Sequence, residues 1–328
     1  MIQRDTIIVG GGPAGSAAAW QLHKLGKKCL ILDRQKFPRE KLCAGWITPE
    51  VLSDLQIDPS DYPHGLMTFE NLKTSFWRLP FSLTTTQHSI RRIEFDQWLL
   101  ERSCADVAVH NVRQVKRVPD GFEIDGKYHC ENLIGAGGTG CPVYRSLFRG
   151  EFPRDKTLQA VALELEYPCS WEDADCHLWF ACNGLPGYAW YVPKANGYLN
   201  IGVGGMAHLL KVKNDTIHRH WDLLTKRLVA LGLIDELPGQ PRGYSYYLRG
   251  QSNPPCAGNL HLIGDARGLA TRDLCEGIGP AVSSGLQAAR AIVGDNASHA
   301  VDIDAFSLTR RLPQRILERQ FLRTHLAA

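Results

Sequence analysis

Long apolar runs, paired cysteines and a strong charge of either sign are what this chain has little of. No apolar run reaches the roughly 18 residues that a membrane-spanning helix needs. The opening Met1-Ile2-Gln3-Arg4-Asp5 leads into a strand, not into the apolar region of a signal peptide, so a cytoplasmic location is expected. A formal net charge of +3 and a pI near 8.3 are too mild for the concentrated basic footprint of a nucleic-acid binder. No nucleic-acid partner is expected. The chain has ten cysteines but no CxxC pair. Structural zinc wants ligand pairs two to four residues apart. His218 and His220 fall two apart on an expected helix and share no face. No metal site is expected, and the thiols are expected to be free, as in a reducing compartment.

The first forty residues are the informative part. Asp5 to Val9 is a short apolar run that reads as a buried parallel strand. A glycine turn follows, then a helical stretch from Pro13 to Leu25, with Gly26 where a helix-ending glycine belongs. Lys28 to Asp33 reads as a second strand. Gly10, Gly12 and Gly15 make a GxGxxG pattern in this βαβ context. Gly10 permits the tight turn, Gly12 lets backbone approach a pyrophosphate, and Gly15 permits close helix–strand packing. The helix N-terminus offers free N–H groups to phosphate. Asp33, 18 residues after Gly15, is placed to accept from a ribose. Pro13, Ala14 and Arg34 complete the expected contacts with an ADP moiety.

ADP belongs to both NAD and FAD, and the far end of the chain decides between them. Gly264 and Asp265 follow a late apolar strand, and Gly277-Ile278-Gly279 leads into a helix. This arrangement can put Asp265 on a ribityl hydroxyl and a helix N-terminus at a flavin edge. Such a dipole would stabilise reduced flavin. FAD is therefore the expected cofactor.

Between these ends, Arg91 to Ser103 has helical spacing. Val107 to Val118 and Gly121 to Tyr128 read as a strand and a hairpin around Pro119-Asp120-Gly121. Leu158–Tyr167, Cys176–Ala181, Gly187–Val192 and Tyr198–Val203 are strand-like and separated by turn residues, as in an antiparallel sheet. The expected fold is α/β: a Rossmann-type FAD-binding domain with an inserted, mainly antiparallel substrate domain. The expected division assigns residues 1–75, 90–150 and 255–305 to the first. Residues 76–89 and 151–254 go to the second, and 306–328 to a C-terminal helix.

These motifs resemble the para-hydroxybenzoate-hydroxylase-like class of FAD enzymes, and within it the geranylgeranyl reductase family. Gly10–Gly15, Asp33 and Gly264–Ala266 are shared across the class. Lys41-Leu42-Cys43-Ala44-Gly45 looks like the family's K-x-C-G-G segment beside the flavin, with Ala44 in place of a glycine. Arg92 opens a segment similar to R-x-x-F-D-x-W-L, whose arginine lies near the cofactor. Pro186 to Pro193 resembles the substrate-cavity motif P-x-x-Y-x-W-x-F-P, with valine for its phenylalanine. The class has Ala-Asp-Gly where this chain has Ala136-Gly137-Gly138. The resemblance therefore does not carry NAD(P)H over as electron donor, and the donor stays open. The chain also ends before the longer C-terminal region of prenyl reductases.

The resemblance implies an FAD-dependent oxidoreductase delivering hydride from flavin N5 to an unsaturated apolar small molecule. Tyr188 and Trp190 point to one side of a strand, since side chains repeat every two residues. Both are candidate catalytic residues, with Tyr188 as proton source, and sheet packing is the competing reading. Cys43 is a third candidate, as pocket wall or weak proton donor. Arg92 can meet the cofactor or Glu94, and Glu276 reads equally as acid–base group or loop carboxylate. Two alternatives stay open. One is a monooxygenase working through a C4a-hydroperoxide on a small molecule or a partner-protein side chain. The weaker one is a halogenase, since Tyr188–Pro193 superficially resembles a W-x-W-x-I-P segment. The terminal stretch carries Arg310, Arg311, Arg315, Arg319 and Arg323 among apolar residues, a pattern that can lie on an anionic membrane.

Overall fold

The computed structural model describes residues 1–77, 79–251, 258–294 and 302–307. The chain opens with β1 (Ile2–Val9), α1 (Pro13–Lys24) and β2 (Leu30–Asp33). It continues through β3 (Trp46–Ile47), α2 (Pro49–Leu55), a long hairpin of β4 (Met67–Phe76) and β5 (Leu79–Ser89), and α3 (Arg92–Arg102). Next come β6 (Asp106–Val109), β7 (Val115–Val118), β8 (Gly121–Ile124), β9 (Tyr128–Gly135) and α4 (Pro142–Leu147). Then β10 (Gln159–Pro168), β11 (His177–Phe180), β12 (Gly187–Lys194) and β13 (Tyr198–Met206) run in succession. The last elements are α5 (Ala207–Val212), α6 (Ile217–Ala230), β14 (Arg242–Tyr247), β15 (Leu260–Leu262) and α7 (Ile278–Ile292).

The first sheet has the order β6-β2-β1-β9-β8-β7, with β15 also on β9. Pairing is parallel from β6 to β9 and between β9 and β15, and antiparallel through β8 and β7. The ends of β1 and β2 nearest the glycine turn are buried on both faces, which explains their unbroken apolar runs. One face packs Ile8, Ile31 and Ile134 against α1 and α7. These two helices approach closely because Gly285 has no side chain; a Cβ there would overlap the Ala14 carbonyl. The other face packs Ile7, Leu32 and Leu133 against α4 and the β7–β8 hairpin.

The second sheet has the order β14-β10-β13-β12-β11-β4-β5-β3 and is antiparallel except where β11 meets β4. Its outer face is closed by α6, which buries Trp221, Leu224 and Leu228 at helical spacing against Trp179, Tyr191 and Ile201. Its other face turns toward the glycine-rich turns of the first sheet. A Rossmann-like α/β unit carrying a mainly antiparallel sheet is thus the architecture.

Three expectations need correction. Val107–Val118 is not one strand: β6 and β7 lie at opposite edges of the first sheet. Asp125 causes the break, accepting the amides of Arg113 and Gln114 (3.1 and 2.7 Å) and meeting His110 at 2.8 Å. The second sheet begins earlier than residue 76, because β3 and all of β4 belong to it; β4 takes its partners from β5 and β11. Finally, Ile303–Phe306 is a short 3-10 turn that buries Phe306. Ser307 after it is not helical, and residues 308–328, with the five arginines of the expected C-terminal helix, lie outside the described residues.

Candidate active site

The strand-to-helix turn at the end of β1 is shaped by three glycines with different reasons to be glycine. Gly10 has φ +113°, and a Cβ on it would overlap the Ala136 carbonyl. A Cβ on Gly15 would overlap the Gly10 carbonyl. Gly12 has an ordinary backbone, and a Cβ there would meet only the tip of Arg39, at 3.2 Å. The protein's own packing therefore does not require glycine at position 12. No side chain caps α1 at Gly12, which leaves its first N–H groups for an anion. The buried Asp33 carboxylate holds the turn by accepting from Gly11 N–H (2.8 Å) and Gln35 N–H (2.9 Å). Gly137 is also explained: a Cβ there would lie 3.1 Å from Cys141 Cα and 3.2 Å from Pro142 Cδ. The tight entry to α4 leaves little room for the aspartate of the class.

The loop after β15 faces this turn. Gly264 has φ +55° and donates its N–H to Ser284 Oγ (3.0 Å). Arg154 fastens the loops together: one guanidinium donates to the carbonyls of Thr139 (2.6 Å), Ala266 (2.8 Å) and Asp265 (3.3 Å). Nothing in its local sequence marks Arg154, whose partners lie 15, 111 and 112 positions away.

Both loops open into one cleft of about 760 Å³ that continues to the second sheet. Gly10, Gly12, Pro13, Ala14, Asp33, Arg34, Cys43, Ala44, Arg92, Asp265, Gly277 and Ile278 line it, as do Tyr188 and Trp190. Gly15, Gly264 and Gly279 stand behind the wall instead. Gly15 and Gly264 pack against the turn and α7, and a Cβ on Gly279 would overlap the Phe306 ring.

Between the nucleotide end and the second sheet sits the Lys41–Gly45 segment, held from three strands. Glu164 of β10 accepts the Cys43 N–H, and Asn200 of β13 donates to the Cys43 carbonyl (3.4 Å). Lys194 of β12 donates to the carbonyls of Ala44 and Ile90 (2.6 Å for the latter), with Glu166 at 3.8 Å. Burial pushes the Glu164 carboxyl up to about 7 and the Lys194 ammonium down. Burial, with Arg92 adding to it, lowers Lys41 to about 8. Its ammonium lies 3.0 Å from the Tyr244 ring centroid. The sequence carries one signal for Glu164: in Leu163-Glu164-Leu165-Glu166 the two acids project to one face of a strand. Lys194 has none.

Arg92 is buried and forms a bidentate pair with Asp96 (2.7 and 2.8 Å). The expected alternative partner, Glu94, is taken by Arg91 (2.7 Å). Trp190 donates its indole N–H to Asn200 (2.8 Å) and packs on Gly202. Its ring lies 5.7 Å from that of Tyr188. The Tyr188 hydroxyl donates to the Leu274 carbonyl (2.5 Å), and burial raises it well above the usual phenol range. Tyr188 thus forms part of the cleft wall, with its hydroxyl proton directed at the Leu274 carbonyl. Glu276 closes the cleft beside Leu274 and Cys275.

Residues 8–70 match the NAD(P)-binding Rossmann-like domain family. An uncharacterized protein of Methanosarcina barkeri is 30% identical, over 97% of this chain and 81% of that protein. A menaquinone reductase of Mycobacterium tuberculosis is 29% identical, over 87% of this chain and 75% of that one. A digeranylgeranylglycerophospholipid reductase of Methanosphaera stadtmanae is 28% identical, over 87% and 76%. The fold is shared with a geranylgeranyl bacteriochlorophyll reductase-like protein of Thermoplasma acidophilum, with a TM-score of 0.76, 20% identity, and coverage of 100% of this chain and 87% of that one. With this likeness running through nearly its whole length, the chain belongs to the geranylgeranyl-reductase-like family of flavin-dependent oxidoreductases.

Proposed function

We propose that the protein binds FAD and reduces a carbon–carbon double bond in an apolar, isoprenoid-type substrate. The observation that carries this reading is the single cleft joining the Gly12 turn to the Tyr188–Trp190 wall. Gly12 fits the cofactor because glycine there serves no packing need of the protein. The uncapped α1 N-terminus and Gly12 would hold the pyrophosphate, Asp33 and Arg34 the adenosine side, and Asp265 the ribityl chain. The Cys43–Ala44 loop and the Gly277–Ile278 turn would flank the ring. FAD, when bound, supplies a carrier that gives up two electrons as hydride.

The chain's own residues shape what can meet that carrier. Trp46, Ala162, Tyr188, Trp190 and Phe306 make an apolar wall that excludes water and fits an alkene. Asn200 fixes the indole of Trp190 by one hydrogen bond, and the same Asn200 braces the Cys43 carbonyl. Lys194 and Glu164 fix the loop that separates the substrate wall from the nucleotide end. The names of the menaquinone and digeranylgeranylglycerophospholipid reductases favour an isoprenoid lipid over a small polar substrate.

A direct test uses FAD-loaded protein reduced anaerobically with dithionite. Geranylgeraniol and its fully saturated counterpart are then mixed with it separately. Return of the yellow oxidised chromophore with the unsaturated alcohol alone supports the reading. Equal indifference to both, with fast reoxidation only on admitting oxygen, would contradict it.

A further inference from the structure

The Leu274–Gly277 wall of the cleft contains a carboxyl that the packing leaves half used. Glu276 is pinned through its backbone: its N–H donates to Thr271 Oγ1 (3.0 Å), and its carbonyl accepts from Thr271 N–H (2.8 Å). Its Oε1 accepts the Gly279 N–H (2.8 Å) at the start of α7. Its Oε2 is buried and has no hydrogen-bond partner among the described residues, although the residue lines the cleft. A carboxylate oxygen without a partner in such a place is costly. A neutral carboxyl carries its own donor and can present it to a ligand. Burial raises the Glu276 carboxyl to about 8, with Asp273 and Asp265 pushing the same way and the N–H groups of Gly279 and Ile278 opposing. At neutral pH it is mostly protonated.

The other hydrogen-bearing groups at this end of the cleft are engaged. Tyr188 donates to Leu274, Tyr246 is hydrogen-bonded with Cys275, and Trp190 donates to Asn200. Tyr244 meets Thr139 Oγ1 at 3.3 Å, and Lys41 sits over the Tyr244 ring. Glu164 receives the Cys43 N–H and, unlike Glu276, faces two cations, Lys194 and Lys41, that oppose its neutral form. Trp46 Nε1 and Thr48 Oγ1 are also buried without partners among the described residues, but an indole and an alcohol do not release protons near neutrality.

We propose that Glu276 is the catalytic acid of this reduction, giving its proton to one alkene carbon while the other receives hydride. The inference rests on the reductase reading above. The balance is closed. The hydride brings the electron pair of one new C–H bond. The alkene π pair forms the second C–H bond with the Glu276 proton. Glu276 is left as carboxylate and regains a proton from solvent, and the cofactor is oxidised by two electrons.

Glu276→Gln tests this, because an amide oxygen can still accept from Gly279 N–H while the acid is gone. Wild type and variant are loaded with FAD, reduced anaerobically and mixed with geranylgeraniol. The variant should transfer about 100- to 10,000-fold more slowly, the usual range for loss of a positioned acid. Its melting temperature, and geranylgeraniol binding to the oxidised protein, should be unchanged. The wild-type rate should fall as pH rises through about 8, and the variant should lack that limb. A readout free of turnover is the infrared difference between wild type and variant. It should show a protonated carboxyl at neutral pH that disappears on going alkaline. A variant as fast as wild type, or no protonated carboxyl at neutrality, overturns the proposal. If wild type transfers nothing to any unsaturated lipid while the infrared band is present, the reductase reading itself has failed and the catalytic role falls with it.

Discussion

Adding one methyl group at Gly12 and, separately, at Gly15 distinguishes a glycine kept for a ligand from one kept for the fold. At Gly15 the new Cβ would overlap the Gly10 carbonyl, a backbone atom that cannot move without bending the turn. Overpacking of this kind costs about 1–3 kcal/mol or more, and it should appear in the protein without cofactor. At Gly12 the new Cβ meets only Arg39 Nη2 at 3.2 Å, the end of a flexible side chain, and the backbone φ of −73° suits alanine. The expected loss of fold stability is the cap penalty alone, about 0.5–1 kcal/mol. The same methyl projects where a pyrophosphate would approach. A clash there costing the same 1–3 kcal/mol lowers FAD affinity by roughly 5- to 150-fold. Urea unfolding of the apoprotein and fluorescence titration with FAD measure the two effects separately. Gly12→Ala binding FAD as tightly as wild type would refute the assignment of this turn to a phosphate.

Further predictions concern the supports around the cleft. Arg154→Ala removes three donated hydrogen bonds that tie the Thr139 and Asp265–Ala266 loops. It should cost about 1.5–4.5 kcal/mol in urea unfolding and speed FAD loss during gel filtration, since each such bond contributes about 0.5–1.5 kcal/mol net. Gly202→Ala would drive a Cβ into the Trp190 ring, so lipid-dependent reoxidation should slow while FAD affinity stays within about twofold. Retention of wild-type reoxidation would place Trp190 outside the reacting region. Glu164 has a folded-state value near 7, raised by burial above the usual 4.5. Its neutral form is thus favoured by folding, and its contribution to apoprotein stability is full below about pH 4.5 and lost as pH rises through 7. Glu164→Gln should flatten the decline of the urea midpoint over that interval, and an unchanged slope would count against a protonated Glu164.

The parts of the fold legible in the sequence are those fixed by neighbours in sequence. The βαβ opening is encoded by a run of Ile and Val, a glycine turn, a proline in the first helical turn and Gly26 after the last. Period-two alternation exposed β10 to β13 within a residue or three of their ends, and it placed Tyr188 and Trp190 on one face. What stayed hidden depends on contacts between distant segments. Nothing in the sequence marks Lys194, yet it is fully buried because two carbonyls 104 and 150 positions away receive its protons. Arg154 is equally silent. The β4–β5 hairpin lacks a short turn signature, so its membership of the second sheet shows only in its pairing with β11. Tyr188 lies on the cleft wall, and the bond from its hydroxyl to the Leu274 carbonyl spans 86 residues, beyond any local signal.

The central claim is that electrons leave this protein as hydride to an apolar alkene. Mass spectrometry after a single anaerobic turnover tests it most directly, with FAD-loaded, pre-reduced protein and geranylgeraniol in deuterated water. The account predicts a product with two more hydrogen atoms per reduced double bond, both of them deuterium, because the hydride position of reduced flavin and the proton of the acid each exchange with solvent. A lipid recovered unchanged under these conditions, but carrying a new oxygen atom once air is admitted, would contradict it.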